Sequence, residues 1–151
     1  MQIHLDNLTR PVVLDLLANH LSGMQGNSPP GSVYALDLSG LKAPDVSVWT
    51  AWDEDVLMGV GALKKLSERA GEIKSMRTDS RHLRKGVGLS ILNHIIAEAK
   101  RRGYGRLSLE TGSGLEFEPA LQLYRKRGFE NGPAFADYSA SDFNQFLHLD
   151  L

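Results

Sequence analysis

The sequence predicts a mixed α/β fold in which helices and strands do not simply alternate. Three observations predict it: a long amphipathic helix pattern after residue 86, short strand-like runs on both sides of it, and a second, shorter helix before the C-terminal strands. In chain order the patterns are a strand, two helices, three strands, a helix, a strand, a helix and two strands. This order indicates a mixed sheet rather than an alternating parallel one.

The N-terminal half is predicted from short local signals. Residues 2–6 alternate apolar and polar side chains, and Thr9 can cap a helix that runs to about residue 21. Residues 23–31 (GMQGNSPPG) are expected to form a loop, and residues 32–38 a short helix. Residues 46–52 and 56–63 are expected to be strands joined by a hairpin turn at 53–55.

The two tryptophans of the first of these strands are expected to face opposite sides of the sheet. Trp49 and Trp52 are three residues apart, and side chains alternate along a strand. One is therefore expected in the core. The other is expected in the core, in a dimer contact or beside an acceptor site.

The stretch from Gly71 to Gly103 is the most informative part of the chain. Residues 72–78 are predicted to be a short strand. A helix follows in which apolar side chains recur at i, i+3, i+4 and i+7, and Gly103 comes directly after it, where a helix C-terminus favours glycine. The residues of this apolar stripe are Leu92, Ile95, Ile96 and Ala99.

A basic turn with two glycines separates this strand from this helix. Gly86 and Gly88 would let the backbone approach a ligand, and the free N–H groups and dipole of a helix N-terminus favour an anion. Basic residues disfavour a helix at this end, so their presence suggests a function. They are Arg81, Arg84 and Lys85. The alternative to an anion-binding turn is a solvated loop whose glycines only turn the chain. Two other phosphate-binding motifs, GxxxxGK[ST] and GxGxxG, are absent.

This segment resembles the acyl-CoA-binding motif of the GNAT N-acetyltransferase superfamily, [QR]xxGx[GA]. Gly86 and Gly88 match its glycines, whereas Leu83 stands where Gln or Arg is usual and Arg84 follows where Gly is frequent. The resemblance implies a GNAT-like fold with splayed central parallel strands, in which turn amides hold the CoA pyrophosphate and the preceding strand binds the pantetheine arm. The implied cofactor-binding residues are Met76, Arg77, Thr78, Arg84, Lys85, Gly86, Val87 and Gly88.

The resemblance continues beyond the motif. Residues 106–111 (RLSLET) are similar to the strand that splays away from its neighbour, and residues 119–129 (PALQLYRKRGF) to the helix that follows it. Tyr124 matches a tyrosine that commonly protonates the departing CoA thiolate in this family. Phe117 stands where many members carry an asparagine that binds the cofactor. The C-terminal residues are similar to the final hairpin of small bacterial members.

Acetyl transfer to an amine needs a base, because an alkylammonium must lose a proton before it can attack a thioester. Glu72 is the first candidate, since related acetyltransferases often carry a glutamate at the start of this strand. The alternative is a structural carboxylate at a strand end. Glu110 is a second candidate at the end of the adjoining strand. Tyr124 would act as the general acid, and a backbone N–H near residues 76–78 would bind the attacked carbonyl oxygen.

Composition agrees with a single domain over residues 1–151. The net charge of −1 gives no field that would favour nucleic acid or an anionic membrane. There are no cysteines, and the five histidines are scattered without a ligand spacing, so no metal is expected. No apolar run is long enough to span a membrane and no signal pattern is present, so a cytoplasmic location is expected.

The sequence therefore predicts a cytoplasmic N-acetyltransferase, monomer or homodimer, that moves an acetyl group from acetyl-CoA to a primary amine of a small molecule. By the same resemblance, residues 24–38 and 133–144 would shape the acceptor site. Two alternatives stay open. One is an acyl-CoA-binding regulatory module without turnover, and the other is an acyltransferase that uses another acyl-CoA or an O-acceptor.

Overall fold

The computed structural model describes residues 1–18 and 38–151. The loop expected at residues 23–31 lies outside this part, as do residues 32–37 of the helix expected after it and the end of the first helix. In the described part the strands form one seven-stranded sheet of order β1-β2-β3-β4-β5-β7-β6. The strands are β1 (Gln2–Leu5), β2 (Val46–Asp53), β3 (Val56–Ser67), β4 (Ala70–Thr78), β5 (Arg106–Thr111), β6 (Glu130–Asn131) and β7 (Gln145–Asp150).

Four helices are described, together with two short 3-10 helices at Ser80–His82 and Leu115–Phe117. They are α1 (described over residues 11–18), α2 (Leu38–Leu41), α3 (Val87–Arg101) and α4 (Glu118–Lys126). Gly103 follows α3 in the left-handed conformation, with φ of +84°, as predicted for a residue after a helix C-terminus.

The prediction that Thr9 caps the first helix is wrong. The N–H groups of Val13 and Leu14 both bond to the carbonyl of Arg10, so the helix begins after Arg10. The Thr9 hydroxyl instead donates to Asn7 Oδ1. Pro11, which fixes φ and has no N–H, sets the first helical position one residue later than a Thr9 cap requires.

The hairpin of β3 and β4 is longer than the sequence pattern predicts. β3 continues from residue 63 to Ser67, and β4 begins at Ala70 rather than at residue 72. The pairing of Ser67 with Ala70 shows why: the ladder runs up to a tight turn at residues 68–69. Polar side chains near the turn obscured these extensions, because the alternation that identifies a half-buried strand is lost there.

The sheet separates two hydrophobic clusters. Helices α3 and α4 pack on one face with a cluster that includes Trp49, Ile73 and Leu107. Helices α1 and α2 pack on the other face with a cluster that includes Trp52 and Val60. The tryptophans therefore face opposite sides, as predicted, but both are core residues, with exposures of 5% and 7%. Neither is left to line an acceptor site or a dimer contact.

The centre of the sheet opens between β4 and β5. These strands are parallel, and they pair only where residues 70–72 lie beside residues 106–108. Residues 73–78 of β4 and 109–111 of β5 continue as strands without pairing to each other. This divergence confirms the expected GNAT-like fold with splayed central parallel strands.

A bulge in β4 lies beside this opening. Lys74 pairs with Ala62 and Arg77 with Val60, so Ser75 and Met76 together oppose the single residue Gly61. Ser75 takes a left-handed φ of +56° at this point. Such a bulge bends the strand and changes which face the following side chains occupy.

Candidate active site

The N-terminus of α3 presents unpaired amides next to the opening. The first helical hydrogen bond joins the N–H of Ser90 to the carbonyl of Gly86 at 3.0 Å, so the N–H groups of residues 87–89 have no partner within the helix. Gly86 is the N-cap, with φ of +81° and no side chain to cap the helix. These groups and the helix dipole suit the binding of a diphosphate.

The basic residues of the turn differ in how free they are. Arg81 donates to Asp79 at 3.1 Å from both Nε and Nη2, and these hydrogen bonds lower the pKa of the Asp79 carboxyl to about 2. Lys85 Nζ lies 3.2 Å from His82 Nδ1. Arg84 is exposed and forms no ion pair within residues 1–18 and 38–151. Arg84 and Lys85 are therefore the cations of this turn that are available to an anionic ligand.

The end of β4 lies against α3 and has two chemically different faces. Met76 packs on the α3 side of the sheet. Thr78 Oγ1 lies 3.7 Å from the position that a Cβ on Gly88 would take, so it also faces α3. Arg77 lies between them in sequence and points to the opposite face. The backbone of residues 76–78 thus borders the opening, as expected for a strand that binds an extended arm.

Tyr124 lies on α4 and is 6% exposed. Its ring meets that of Phe129 edge to face, with centroids 5.7 Å apart. Burial raises the pKa of the phenol above its ordinary value, so the hydroxyl keeps its proton at neutral pH. A tyrosine that only packed, with its hydroxyl at the surface, would be half-buried; the Tyr124 ring is more buried than that.

On the sheet face away from α3, the buried side chains of Glu72 and Lys74 form a polar cluster with the partly buried Tyr138. Lys74 Nζ donates to Glu72 Oε2 at 2.9 Å and to the Tyr138 hydroxyl at 2.6 Å. The Tyr138 hydroxyl donates to the same Glu72 oxygen at 2.5 Å. Glu72 and Lys74 side chains are only 3% and 7% exposed. Sequence reasoning did not find Lys74 or Tyr138, because Tyr138 reaches the strand from a loop 66 residues away.

Glu110 shares this face but has no such partners. It lies on β5 just past the last residue paired with β4, opposite Phe146 of β7. Its Oε2 atom is buried and accepts no hydrogen bond within the described residues. Burial raises the pKa of the Glu110 carboxyl to about 7; the nearby positive charge of Lys74 opposes this rise and the negative charge of Glu72 adds to it.

A second polar chain holds the loop that carries Tyr138. Ser108 Oγ lies 2.7 Å from His148 Nδ1, and His148 Nε2 lies 2.8 Å from the carbonyl oxygen of Pro133. Because a carbonyl only accepts, Nε2 carries the proton, and in the neutral ring Ser108 donates to Nδ1. His148 is thus a buried residue that anchors the start of the 133–144 loop. No sequence pattern indicated this role, since the five histidines are scattered along the chain.

Phe117 has an aromatic partner in place of the polar contact usual in the family. Its ring meets Phe143 edge to face at 5.5 Å. Phe143 follows the loop of residues 133–142, so this pair joins the end of that loop to the segment before α4. Phe117 therefore contributes packing at the edge of the opening.

Two further results bear on the expected class. No group of three or more histidine, aspartate or glutamate side chains in the described part of the chain is arranged to hold a metal ion. Across the same residues, no helix combines the length and apolar character that crossing a membrane requires.

The chain matches the model of the acetyltransferase (GNAT) family over residues 15–129. It is 51% identical to the uncharacterized N-acetyltransferase YsnE of Bacillus subtilis, over 100% of both chains. It is 47% identical to the uncharacterized N-acetyltransferase YedL of Escherichia coli, over 99% of this chain and 94% of that one. A GNAT family acetyltransferase from Elizabethkingia anophelis with acetyl-CoA bound has the same fold, with a TM-score of 0.73 at 20% identity, over 99% of this chain and 97% of that one.

An opening between parallel strands, with a helix N-terminus beside it, can hold an extended ligand that carries an anionic group. The chain belongs to the GNAT family of acetyltransferases. It is an acyltransferase.

Proposed function

We propose that the protein transfers an acetyl group from acetyl-CoA to a primary amine of a small molecule. The observation that carries this proposal is the opening between β4 and β5, which connects two chemically distinct sides. On the α3 side lie unpaired amides and a basic turn, and on the other side lies the partly buried carboxylate of Glu110, whose Oε2 atom has no partner among the described residues. A thioester in the opening would have its phosphates on one side and an attacking amine on the other.

The pyrophosphate would be bound by the amides of Val87 and Gly88, with Arg84 and Lys85 supplying positive charge. A Cβ on Gly86 would meet nothing within 4 Å, so a ligand can approach the backbone there, whereas a Cβ on Gly88 would lie only 3.3 Å from Leu123. The backbone of residues 76–78 would bind the pantetheine arm. An N–H of this strand end would stabilise the oxyanion that forms when the thioester is attacked.

The geometry favours Glu110 over Glu72 as the base that takes the proton of the amine. A base needs a free lone pair to take the proton, and Oε2 of Glu72 already accepts hydrogen bonds from both Lys74 and Tyr138. Glu110 has a free, buried oxygen and a pKa raised to about 7, which suits proton transfer at neutral pH. Glu72 would then act through Lys74 and Tyr138, by holding the site in place.

Tyr124 would donate its proton, or a hydrogen bond, to the departing thiolate. The thiol has an ordinary pKa of about 8.5 and the phenol one of about 10, and burial raises the phenol pKa further. Full proton transfer is therefore uphill, and hydrogen bonding to the thiolate is the larger part of the effect. A neutral hydroxyl in a buried site suits this task, because it can donate a hydrogen bond to the thiolate while it keeps its own proton.

The test is thiol release from acetyl-CoA over a panel of amino acids, polyamines and aminoglycosides. Tyr124→Phe should lower kcat by about 10- to 1,000-fold while calorimetry shows unchanged acetyl-CoA binding. Tyr104→Phe is the matched control, because it removes a phenol from the same core cluster away from the proposed chemistry. Tight cofactor binding without turnover on any amine would instead indicate a regulatory module. Turnover only with another thioester would indicate a different acyl donor.

A further inference from the structure

On the sheet face away from α3, which is the proposed acceptor side, the described residues beside the opening include a cation and a carboxylate that each have a buried atom without a partner. The cation is Arg77, whose Nε atom is buried without a hydrogen-bond partner in the described part of the chain. The carboxylate is Glu110, whose Oε2 atom is in the same state. From this pairing we propose that the acceptor is an amine that also carries a carboxylate, such as an α-amino acid. This inference rests on the proposed function.

The bulge in β4 is what puts Arg77 on the acceptor face. In a regular strand residues 72, 74 and 76 share one face, and Arg77 would lie on the other, against α3. The extra residue at the bulge reverses this alternation, so that Arg77 pairs with Val60. Val60 belongs to the cluster beneath α1 and α2, whereas Met76 packs on the α3 side. Arg77 therefore follows Lys74 on the acceptor face.

Glu110 is placed on the same face from the other strand. Glu72 pairs with Ser108 across the parallel ladder, and Glu110 is two residues further along β5. Lys74 and Glu72 both act electrostatically on the Glu110 carboxyl, which shows that the three groups are neighbours. Arg77 and Glu110 thus belong to the two strands that diverge, and they face the same side of the sheet.

These two opposite charges do not neutralise each other. They form no ion pair in the described structure, although each has a buried atom without a partner. Buried polar atoms without partners are rare in proteins, because leaving them unpaired costs stability. A ligand with a positive amine and a negative carboxylate would satisfy both, with the carboxylate on the Arg77 guanidinium and the amine at Glu110.

Lys74 does not compete for the carboxylate. Its ammonium group already donates to Glu72 and to Tyr138, and its side chain is 7% exposed. Among the described residues, Arg77 is consequently a cation beside the opening that is free to bind a substrate. An amine without a carboxylate would leave Arg77 unpaired beside another positive charge, so such amines should be poorer acceptors.

The experiment measures thiol release from acetyl-CoA with matched pairs that differ only in the carboxylate. Suitable pairs are L-phenylalanine with 2-phenylethylamine, L-methionine with 3-(methylthio)propylamine, and L-lysine with cadaverine. We expect the amino acid of the preferred pair to have a kcat/KM about 10- to 100-fold above that of its amine, as a charged hydrogen bond allows. Arg77→Met should abolish this preference, and Arg77→Lys should restore part of it.

Arg101→Met is the control, because it removes the same charge at the C-terminal end of α3. It should leave the ratio of the two acceptors unchanged. Amines that react as well as their amino acids would overturn the inference, and so would an Arg77→Met variant that slows both members of a pair equally.

If neither member of any pair releases thiol, the proposed function fails, and binding still decides the inference. Calorimetry with the CoA-saturated protein should then show that an amino acid binds and that Arg77→Met abolishes this binding. No binding, or binding that Arg77→Met leaves unchanged, overturns the inference.

Discussion

Replacing Glu110 with glutamine separates the proposed base from the rest of the site. The substitution keeps the size and shape of the side chain but removes its charge and its ability to take a proton. Because Glu110 accepts no hydrogen bond at Oε2 in the described structure, the change breaks no contact at that atom. Its effect on catalysis should therefore report the proton transfer itself.

The expected loss of kcat/KM for an amine acceptor is about 100- to 10,000-fold, the usual contribution of general base catalysis. The wild-type value should rise about tenfold per pH unit below pH 7 and level off above it, because the pKa of Glu110 is about 7. In Glu110→Gln this limb should disappear. The assay is a pH series of thiol release under subsaturating amine.

The same substitution should change how stability depends on pH. The pKa of Glu110 is raised from 4.5 to about 7, so the folded state keeps a proton that the unfolded chain has lost. The contribution of Glu110 to the free energy of unfolding is therefore fully present below pH 4.5 and is lost as the pH rises through 7. After allowance for solvent screening of this partly exposed group, the fall is about 1–2 kcal/mol. Glu110→Gln should thus be more stable than wild type at pH 8 and similar to it at pH 4.5.

Two results would refute this reasoning. One is a Glu110→Gln variant that keeps both the rate and the limb near pH 7; if Glu72→Gln removed the limb instead, Glu72 would be the base. The other is an equal free energy of urea unfolding for wild type and Glu110→Gln at pH 8. This result would show that the charged Glu110 carboxylate does not destabilise the folded protein. Acetyl-CoA binding by calorimetry controls for damage to the cofactor side.

Three further predictions concern stability. Gly61→Ala should cost about 1–3 kcal/mol in urea unfolding, because its Cβ would lie 2.6 Å from Ile91 Cγ2 and 2.7 Å from Met76 Sδ; wild-type stability would show that α3 can move away. Gly86→Ala should cost about 1–2 kcal/mol through its φ of +81° alone, since its Cβ has open space; a neutral effect in thermal unfolding would contradict this reason. Lys74→Met should lower the free energy of unfolding by up to about 3–5 kcal/mol, because it leaves the Glu72 carboxylate buried with Tyr138 but without its cation. Adding Glu72→Gln should recover much of this loss. A double variant that is no more stable than Lys74→Met would refute the electrostatic cause.

The elements that sequence reasoning predicted well are those set by local chemistry. Helix α3 follows from the 3.6-residue spacing of its apolar side chains, and its end follows from Gly103. Strand β5 has the bounds that the resemblance implied, and its Leu107 and Leu109 alternate with polar residues. The start of α1 was placed too early, since the choice between two adjacent capping positions depends on small differences in backbone geometry.

The polar residues of the acceptor side could be predicted only in part. Glu72 and Glu110 were both candidates, since each lies on a strand beside the opening. The sequence could not show which of the two is the better candidate for the base, because that depends on which carboxylate accepts hydrogen bonds from Lys74 and Tyr138. His148 was not predicted, because its role comes from a loop carbonyl 15 residues away.

The sequence by itself determined the glycine turn and the amphipathic helix after it, and with them the exposed amides that suit a diphosphate. These are backbone properties, and nearby residues suffice to specify them. Only the tertiary structure decided that β4 bulges at Ser75, that Arg77 consequently faces away from α3, and that Oε2 of Glu110 has no partner among the described residues. Each of these depends on which strand lies alongside and how far two strands diverge, and no local pattern of residues contains that information.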